Sequence, residues 1–224
     1  MKTIQEELEI SLTDENIHYN SAHAHYVEEV LRKGQGHLSE TGPLVVRTGK
    51  HTGRSAGDKY VVKTPSTHNK IWWENSLNEM GQDQFQKLRS KVVDYLKDCD
   101  DLYITDRSVG ALKEHNLGVR TISERPSHAL FTQHLFRKAT GEMDENKDFL
   151  ILHAPDLEID PEEFGTRTET VITTCFDTRT TIIVGTLYAG EIKKSMFSVM
   201  NYLLPEENIL PMHAGANRLE NHEV

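Results

Sequence analysis

Residues 43–64 read PLVVRTGKHTGRSAGDKYVVKT, and the fold turns on what the middle of this stretch connects. Its core, TGKHTGRSAGDK at 48–59, looks like a faulty phosphate-binding loop of the G-x-x-x-x-G-K-[ST] kind. Three residues rather than four separate Gly49 from Gly53, and Arg54 stands in the lysine position ahead of Ser55. A true loop of that kind feeds a helix. Here β-branched runs flank it on both sides, so the spacing predicts a loop joining strand to strand. Three roles stay open at this point: a nucleotide cradle, a site for another anion, or a corner.

Outward from this loop, the chain mixes helices and strands. SAHAHYVEEVLRKGQG predicts a helix capped by Ser21, striped by Tyr26, Val27, Val30 and Leu31, and ended by Gly34. DQFQKLRSKVVDYLKD places Phe85, Leu88, Val92 and Leu96 on one helical face. DLYITD, GVRTIS, DFLILHA, TETVITTCFD and TTIIVGTLY read as strands. PSHALFTQHLFRK, with Pro126 in its first turn, reads as a helix between two of them, and EIKKSMFSVMNYLLP as a final helix stopped at Pro205. Strands do not alternate regularly with helices, so the expected class is α/β or α+β with a mixed sheet. The first 20 residues are expected to be a loosely attached arm, and residues 21–224 the domain proper.

Composition narrows the function. The 224 residues are 37% hydrophobic and 27% charged, as in a soluble globular protein, and carry a formal net charge of -10. Such an acidic chain is a poor general binder of nucleic acid, which needs lysine and arginine to neutralise phosphates. Two cysteines, Cys99 and Cys175, fit a reducing compartment, hence a cytoplasmic location. The N-terminal MKTIQEELEI has no apolar core of a signal peptide, and the most apolar runs are too short to span a bilayer.

Two further stretches carry chemistry. In GTLYAGEIKKSMF (185–197) a strand ends at Gly185, a Tyr-Ala-Gly turn follows, and a helix starts near Glu191 with Ile192, Met196, Val199 and Leu203 on its apolar face. Lys193 and Lys194 then fall in the first helical turn, where a cation is disfavoured by roughly 0.3–1 kcal/mol. Two neighbouring ammonium groups also depress each other's pKa. Either both lysines are solvated and offset by Glu191, or they join Tyr188 and the helix amides in an anion site. A lysine with a depressed pKa could also coordinate a metal as the neutral amine. In LPMHAGAN (210–217), His213 sits in a loop of small residues. It is either structural or a ligand. His23 and His25 lie two apart on a helix and cannot share a metal.

Taken together and in order, these stretches resemble the ATP-dependent phosphoenolpyruvate carboxykinases. That family carries T-G-x-x-T-G-R-S-P-K-D-K, G-T-x-Y-x-G-E-M-K-K-x-M-F, N-Y-L-L-P and M-H-C-S-A-N. This chain carries TGKHTGRSAGDK, GTLYAGEIKKSMF, NYLLP and MHAGAN, with IWWEN, GVRTISERPSHALFTQHLF and GTRTETVI as further matches. The resemblance runs from about residue 16 onward. It implies a two-domain enzyme that converts oxaloacetate and ATP to phosphoenolpyruvate, CO2 and ADP with Mg2+ and Mn2+, at a cleft between a substrate domain and a C-terminal mononucleotide-binding domain. It implies that Arg54 and Tyr188 meet the substrate carboxylate or CO2, that Lys194 and His213 ligate Mn2+, and that Lys193 lies by the phosphoryl path. The opening loop then becomes a carboxylate site, a task suited to the planar, permanently charged fork of arginine.

The family's G-x-x-G-x-G-K-T loop, expected just beyond M-H-C-S-A-N, does not occur in these 224 residues. The chain is therefore expected to be the N-terminal substrate-binding part, inactive alone and holding no cofactor tightly, with an ATP-binding half as partner. The alternative is a non-catalytic binding or regulatory module on a carboxykinase-like fold. Ala56 and Gly57 replace Pro-Lys, and Ala214 and Gly215 replace Cys-Ser.

Overall fold

In the computed structural model, residues 3–74, 78–139, 141–144 and 147–215 are described in full, with the backbone of 218–219 and 222–223. Asn75 of IWWEN, Ala216 and Asn217 of MHAGAN, and parts of the RLENHEV tail lie outside them.

The strands are β1 (Ile17–Tyr19), β2 (Gly36–Leu38), β3 (Leu44–Val46), β4 (Lys59–Val62), β5 (Asn78–Met80), β6 (Leu102–Val109), β7 (Leu117–Ser123), β8 (Arg137–Lys138), β9 (Phe149–Ala154), β10 (Val171–Cys175) and β11 (Thr180–Val184). The helices are α1 (Ile4–Leu8), α2 (His23–Arg32), α3 (Gln82–Lys97), α4 (Pro126–Leu135), α5 (Pro161–Phe164) and α6 (Gly190–Leu203). Nine strands form one mixed sheet in the order β1-β6-β7-β9-β11-β10-β4-β5, with β8 beside β6. β6/β7 and β10/β11 are antiparallel, whereas β7/β9, β9/β11 and β10/β4 are parallel. The mixed sheet expected from the irregular order of elements is thus present.

The central strands are buried on both faces, so period-2 alternation divides one apolar run between two cores. Ile182 and Val184 of β11 face Phe85, Leu88, Val92 and Leu96 of α3. Ile183, between them, faces Ile192, Met196 and Val199 of α6. Each such fully buried side chain contributes roughly 1.5–3 kcal/mol. A smaller cluster of Tyr26, Tyr103, Ala129 and Leu130 seats α2 and α4.

Two expectations need correcting. The first 20 residues are not loosely attached. Ile4 and Leu8, one turn apart on α1, are buried in the α3 core, and β1 pairs in parallel with β6. Glu7 pairs with Arg89, and Glu9 with Lys97. The sequence held the signal: Thr3 and Glu6 form a capping box, with Thr3 Oγ1 accepting from the Glu6 N–H at 3.2 Å. In α2, Ser21 is not the cap. Ala22 holds that position without a side-chain bond, and the Ser21 N–H donates instead to Tyr26 Oη at 3.0 Å.

The opening loop does join strand to strand. β3 belongs to a separate hairpin with β2, and β4 to the main sheet. The only helical piece between them is one 3-10 turn, Ala56–Asp58, so the loop does not itself feed a helix as a nucleotide cradle does.

Candidate active site

β4, β10 and β11 are adjacent in the sheet, and the site grows from their ends. The 48–59 loop leads into β4, and α6 follows β11 after the turn at 185–189. Gly185 makes this turn with φ +72°, and a Cβ there would stand 2.8 Å from the Glu169 carbonyl oxygen. Glycine is required on both counts.

The loop is held from below by segment 166–170. Buried Asp58 accepts from Thr168 Oγ1 at 3.0 Å, from Arg167 Nε at 3.1 Å and from Ser55 Oγ. His51 Nε2 lies 3.0 Å from Thr170 Oγ1, which donates to the Gly185 carbonyl at 3.0 Å. A Cβ on Gly57 would meet the Arg167 guanidinium at 2.6 Å. The Arg167 guanidinium, from the same end of the parallel neighbour β10, occupies the space a side chain at position 57 would take.

Glu191 ties the loop to α6. Its side chain is fully buried, Oε1 accepts from the Ser55 N–H at 2.8 Å, and Oε2 lies 3.1 Å from Lys59 Nζ. Glu191 therefore serves the Arg54–Ser55 backbone and does not offset Lys193 and Lys194.

Those two lysines meet His213. Lys194 Nζ is 2.9 Å from His213 Nδ1, and Lys193 Nζ is 3.4 Å from Nε2. Lys194 Nζ also lies 4.9 Å from the centre of the Phe197 ring, whose own centre is 5.5 Å from that of His213. Loss of hydration, then Arg54, Lys193 and Lys59, hold the Lys194 ammonium below the ordinary lysine range. Lys194 first, then Lys193, push His213 below the usual imidazole value. Arg54 acts on both, so these four cations and bases share one electrostatic neighbourhood. Tyr188 lies in the turn ahead of α6 with its ring against Gly190, where a Cβ would be 2.5 Å from Cε1. A neutral imidazole accepts at only one ring nitrogen, so two protonated lysines overfill His213. The group suits an anion at Arg54 and a cation held between a neutral Lys194 amine and His213.

Behind the turn, His128 Nε2–H donates to the Leu187 carbonyl at 3.0 Å, beside His153 at a ring-centre distance of 4.3 Å. Sequence reading passed over both, because neither lies in a metal-like spacing. Burial pushes His128 down to about 4 from 6.5, and His153 well below its ordinary value. The unfolded chain then holds more protons than the folded one between pH 6.5 and 4. Stability is full above pH 6.5 and is lost as pH falls, by about 1.4 kcal/mol per pH unit for each such histidine. Urea-unfolding midpoints should therefore drop between pH 7 and 5, before most carboxylates titrate. The drop should shrink in His128→Gln. A midpoint independent of pH over that range would contradict the assignment.

Another cluster went unread in the sequence. His18 Nε2 lies 3.2 Å from Asp101 and 3.9 Å from Glu29. These carboxylates already have partners: Glu29 accepts from Arg32 at 2.9 and 2.6 Å and from Tyr103 at 2.7 Å, and Lys33 pairs with Asp101 at 2.6 Å. The cluster is an ion-pair network that fastens α2 to β6. His25 belongs to it through His18 at 2.8 Å, whereas His23 stacks near His134, so the two do point to different partners.

The sequence model of the family described as Phosphoenolpyruvate carboxykinase matches residues 15–224. The chain belongs to the ATP-dependent phosphoenolpyruvate carboxykinase family. It is 43% identical over 212 residues to "Phosphoenolpyruvate carboxykinase (ATP)" of Geobacillus thermodenitrificans, covering 94% of this chain and 40% of that protein. It is 40% identical over 220 residues to the Bacillus subtilis carboxykinase, covering 97% and 42%, and 42% identical over 207 residues to that of Thermus thermophilus, covering 90% and 39%. The chain thus spans about two fifths of the length of the carboxykinases it matches. Among the described residues, no helix is long and apolar enough to cross a membrane.

Proposed function

We propose that this chain is the N-terminal part of an ATP-dependent phosphoenolpyruvate carboxykinase, and that it supplies the carboxylate or CO2 site and two of the Mn2+ ligands. The observation that carries this reading is the gathering of Arg54, Lys194 and His213 from three distant stretches into one neighbourhood, with both basic ligands shifted towards their neutral forms. Arg54 and Tyr188 bind and orient the carboxylate of oxaloacetate. The guanidinium fork fixes its plane, and the Tyr188 ring, seated on Gly190, borders it. Lys194 and His213 would hold Mn2+, which when bound would supply positive charge beside the substrate oxygens. Lys193, at the first turn of α6, faces the phosphoryl group to be transferred. ATP, Mg2+ and the remaining ligands belong to the mononucleotide-binding part of the complete enzyme.

Mn2+ binding by this chain alone is expected to be weak and to tighten with rising pH. Both ligands must shed a proton to coordinate, so protons compete with the ion. Their lowered pKa values bring that competition closer to neutrality, yet two ligands without a carboxylate leave much of the ion's charge uncompensated. Calorimetric titration at pH 6, 7 and 8 should show the rise. His213→Ala should abolish binding and His23→Ala should leave it unchanged. Tight, pH-independent binding that survives His213→Ala would move the metal elsewhere and remove the chemical support for this reading.

A further inference from the structure

The 187–190 turn also lines a separate cavity of about 400 Å³, within the usual range for small-molecule pockets. Its other walls are one side of α4, from Ser127 to Leu135, and the end of the β2–β3 hairpin. Val46, Phe131, Leu135 and Leu187 make the lining largely apolar. The charged groups that reach it are Arg47, Arg125 and Lys193, and among the described residues no acidic one lines it, although the chain as a whole carries -10. Arg125 is already neutralised by Asp156, through Nε at 2.5 Å and Nη2 at 2.6 Å. His128 spends its Nε2–H on the Leu187 carbonyl. Arg47 is exposed and has no ion pair among the described residues, and Lys193 has only its 3.4 Å approach to His213.

We propose that this cavity binds a small carboxylate with an apolar body, the carboxylate on Arg47 and Lys193 and the body against Phe131, Leu135 and Leu187. A bare inorganic anion would leave the apolar wall uncovered. A neutral apolar molecule would leave Arg47 without a counter-charge. Arginine can grip a carboxylate bidentately, which fixes the direction in which the apolar end enters. The site differs from the one built on Arg54, Lys194 and His213, none of which lines it. It shares Lys193 and borders Tyr188, so an occupant would sit directly behind the residue assigned to the substrate carboxylate.

The test is a titration of the 224-residue chain followed by amide chemical shifts, with benzoate as the probe and benzyl alcohol and inorganic phosphate as comparators. Saturable shifts at Leu187 and Gly190 are expected with benzoate, with at least tenfold weaker binding of either comparator. Arg47→Ala should weaken benzoate at least tenfold, and Leu135→Asp, at a half-exposed wall position, should do the same by repulsion. Arg54→Ala should leave benzoate binding intact. No saturable benzoate binding, equal binding of phosphate, or loss in Arg54→Ala but not in Arg47→Ala would each overturn the proposal. The carboxykinase reading is tested apart from this, by Mn2+ titration of His213→Ala, so the two can fail separately.

Discussion

The purified 224-residue chain is expected to form no phosphoenolpyruvate from oxaloacetate and ATP, with Mn2+ and Mg2+ both present. Phosphoryl transfer is mostly a matter of positioning and of charge stabilisation by a phosphate cradle and its metal ion. The loop at 48–59 offers no cradle: it runs from strand to strand, its Ser55 N–H is taken by Glu191, and its Asp58 side chain is tied to Arg167 and Thr168. The site described is cationic and can hold a carboxylate, but nothing in it orients a triphosphate. Coupled assays of ATP consumption and phosphoenolpyruvate formation should stay at background. Adding a polypeptide that carries the family's G-x-x-G-x-G-K-T part should restore turnover if the two halves dock. Robust turnover by the chain alone would refute the division of labour proposed above.

Glu191→Ala is expected to be the most damaging single change near the site, at roughly 2–4 kcal/mol of unfolding free energy. The wild-type carboxylate is fully buried, and its removal strands two groups at once. The Ser55 N–H loses its acceptor, and Lys59, only 18% exposed, loses its counter-charge. Glu191→Gln keeps an acceptor for Ser55 and loses only the ion pair, so it should cost less. Urea midpoints of the three proteins would rank them. The damage should also be local, with chemical shifts of Arg54 and Ser55 moving in both variants. Equal stability of wild type and Glu191→Ala would mean that the loop is held by Asp58 alone.

Much of this was legible beforehand. The β-branched runs on either side of the opening loop gave its strand-to-strand path, and the stripe through Phe85, Leu88, Val92 and Leu96 gave α3 almost to the residue. Pro126 lies at the start of α4 as expected. The apolar face of α6 was also readable, and Lys193 falls in its first turn as expected, whereas the start at Gly190 carries Lys194 one residue beyond it. What escaped reading was long-range pairing. Glu191 lies three residues from Lys194 on α6, yet its carboxylate is taken up by the Ser55 N–H and by Lys59, on a loop 136 residues earlier. Arg167 filling the space over Gly57 has no local signature at all. The acidic N-terminus masked the Ile4–Leu8 pair, because charge content was weighed above helical spacing.

The way His213 is attached has a thermodynamic consequence. Arg54 lies in the loop that leads into β4, Lys193 and Lys194 lie on α6, and Glu191 bolts that loop to the helix. His213 comes from a segment without regular structure, whose flanking Leu210 and Met212 are 76% and 71% exposed. On the proposed reading, the anion half of the site is held by packed neighbours, whereas the metal half depends on a residue from an exposed segment. Any cation bound there bears the entropy of ordering that segment, and its apparent affinity is lowered by the fraction of chains in which His213 is already in place. A partner surface that covered Leu210 and Met212 would remove this tax and tighten the metal without touching either ligand.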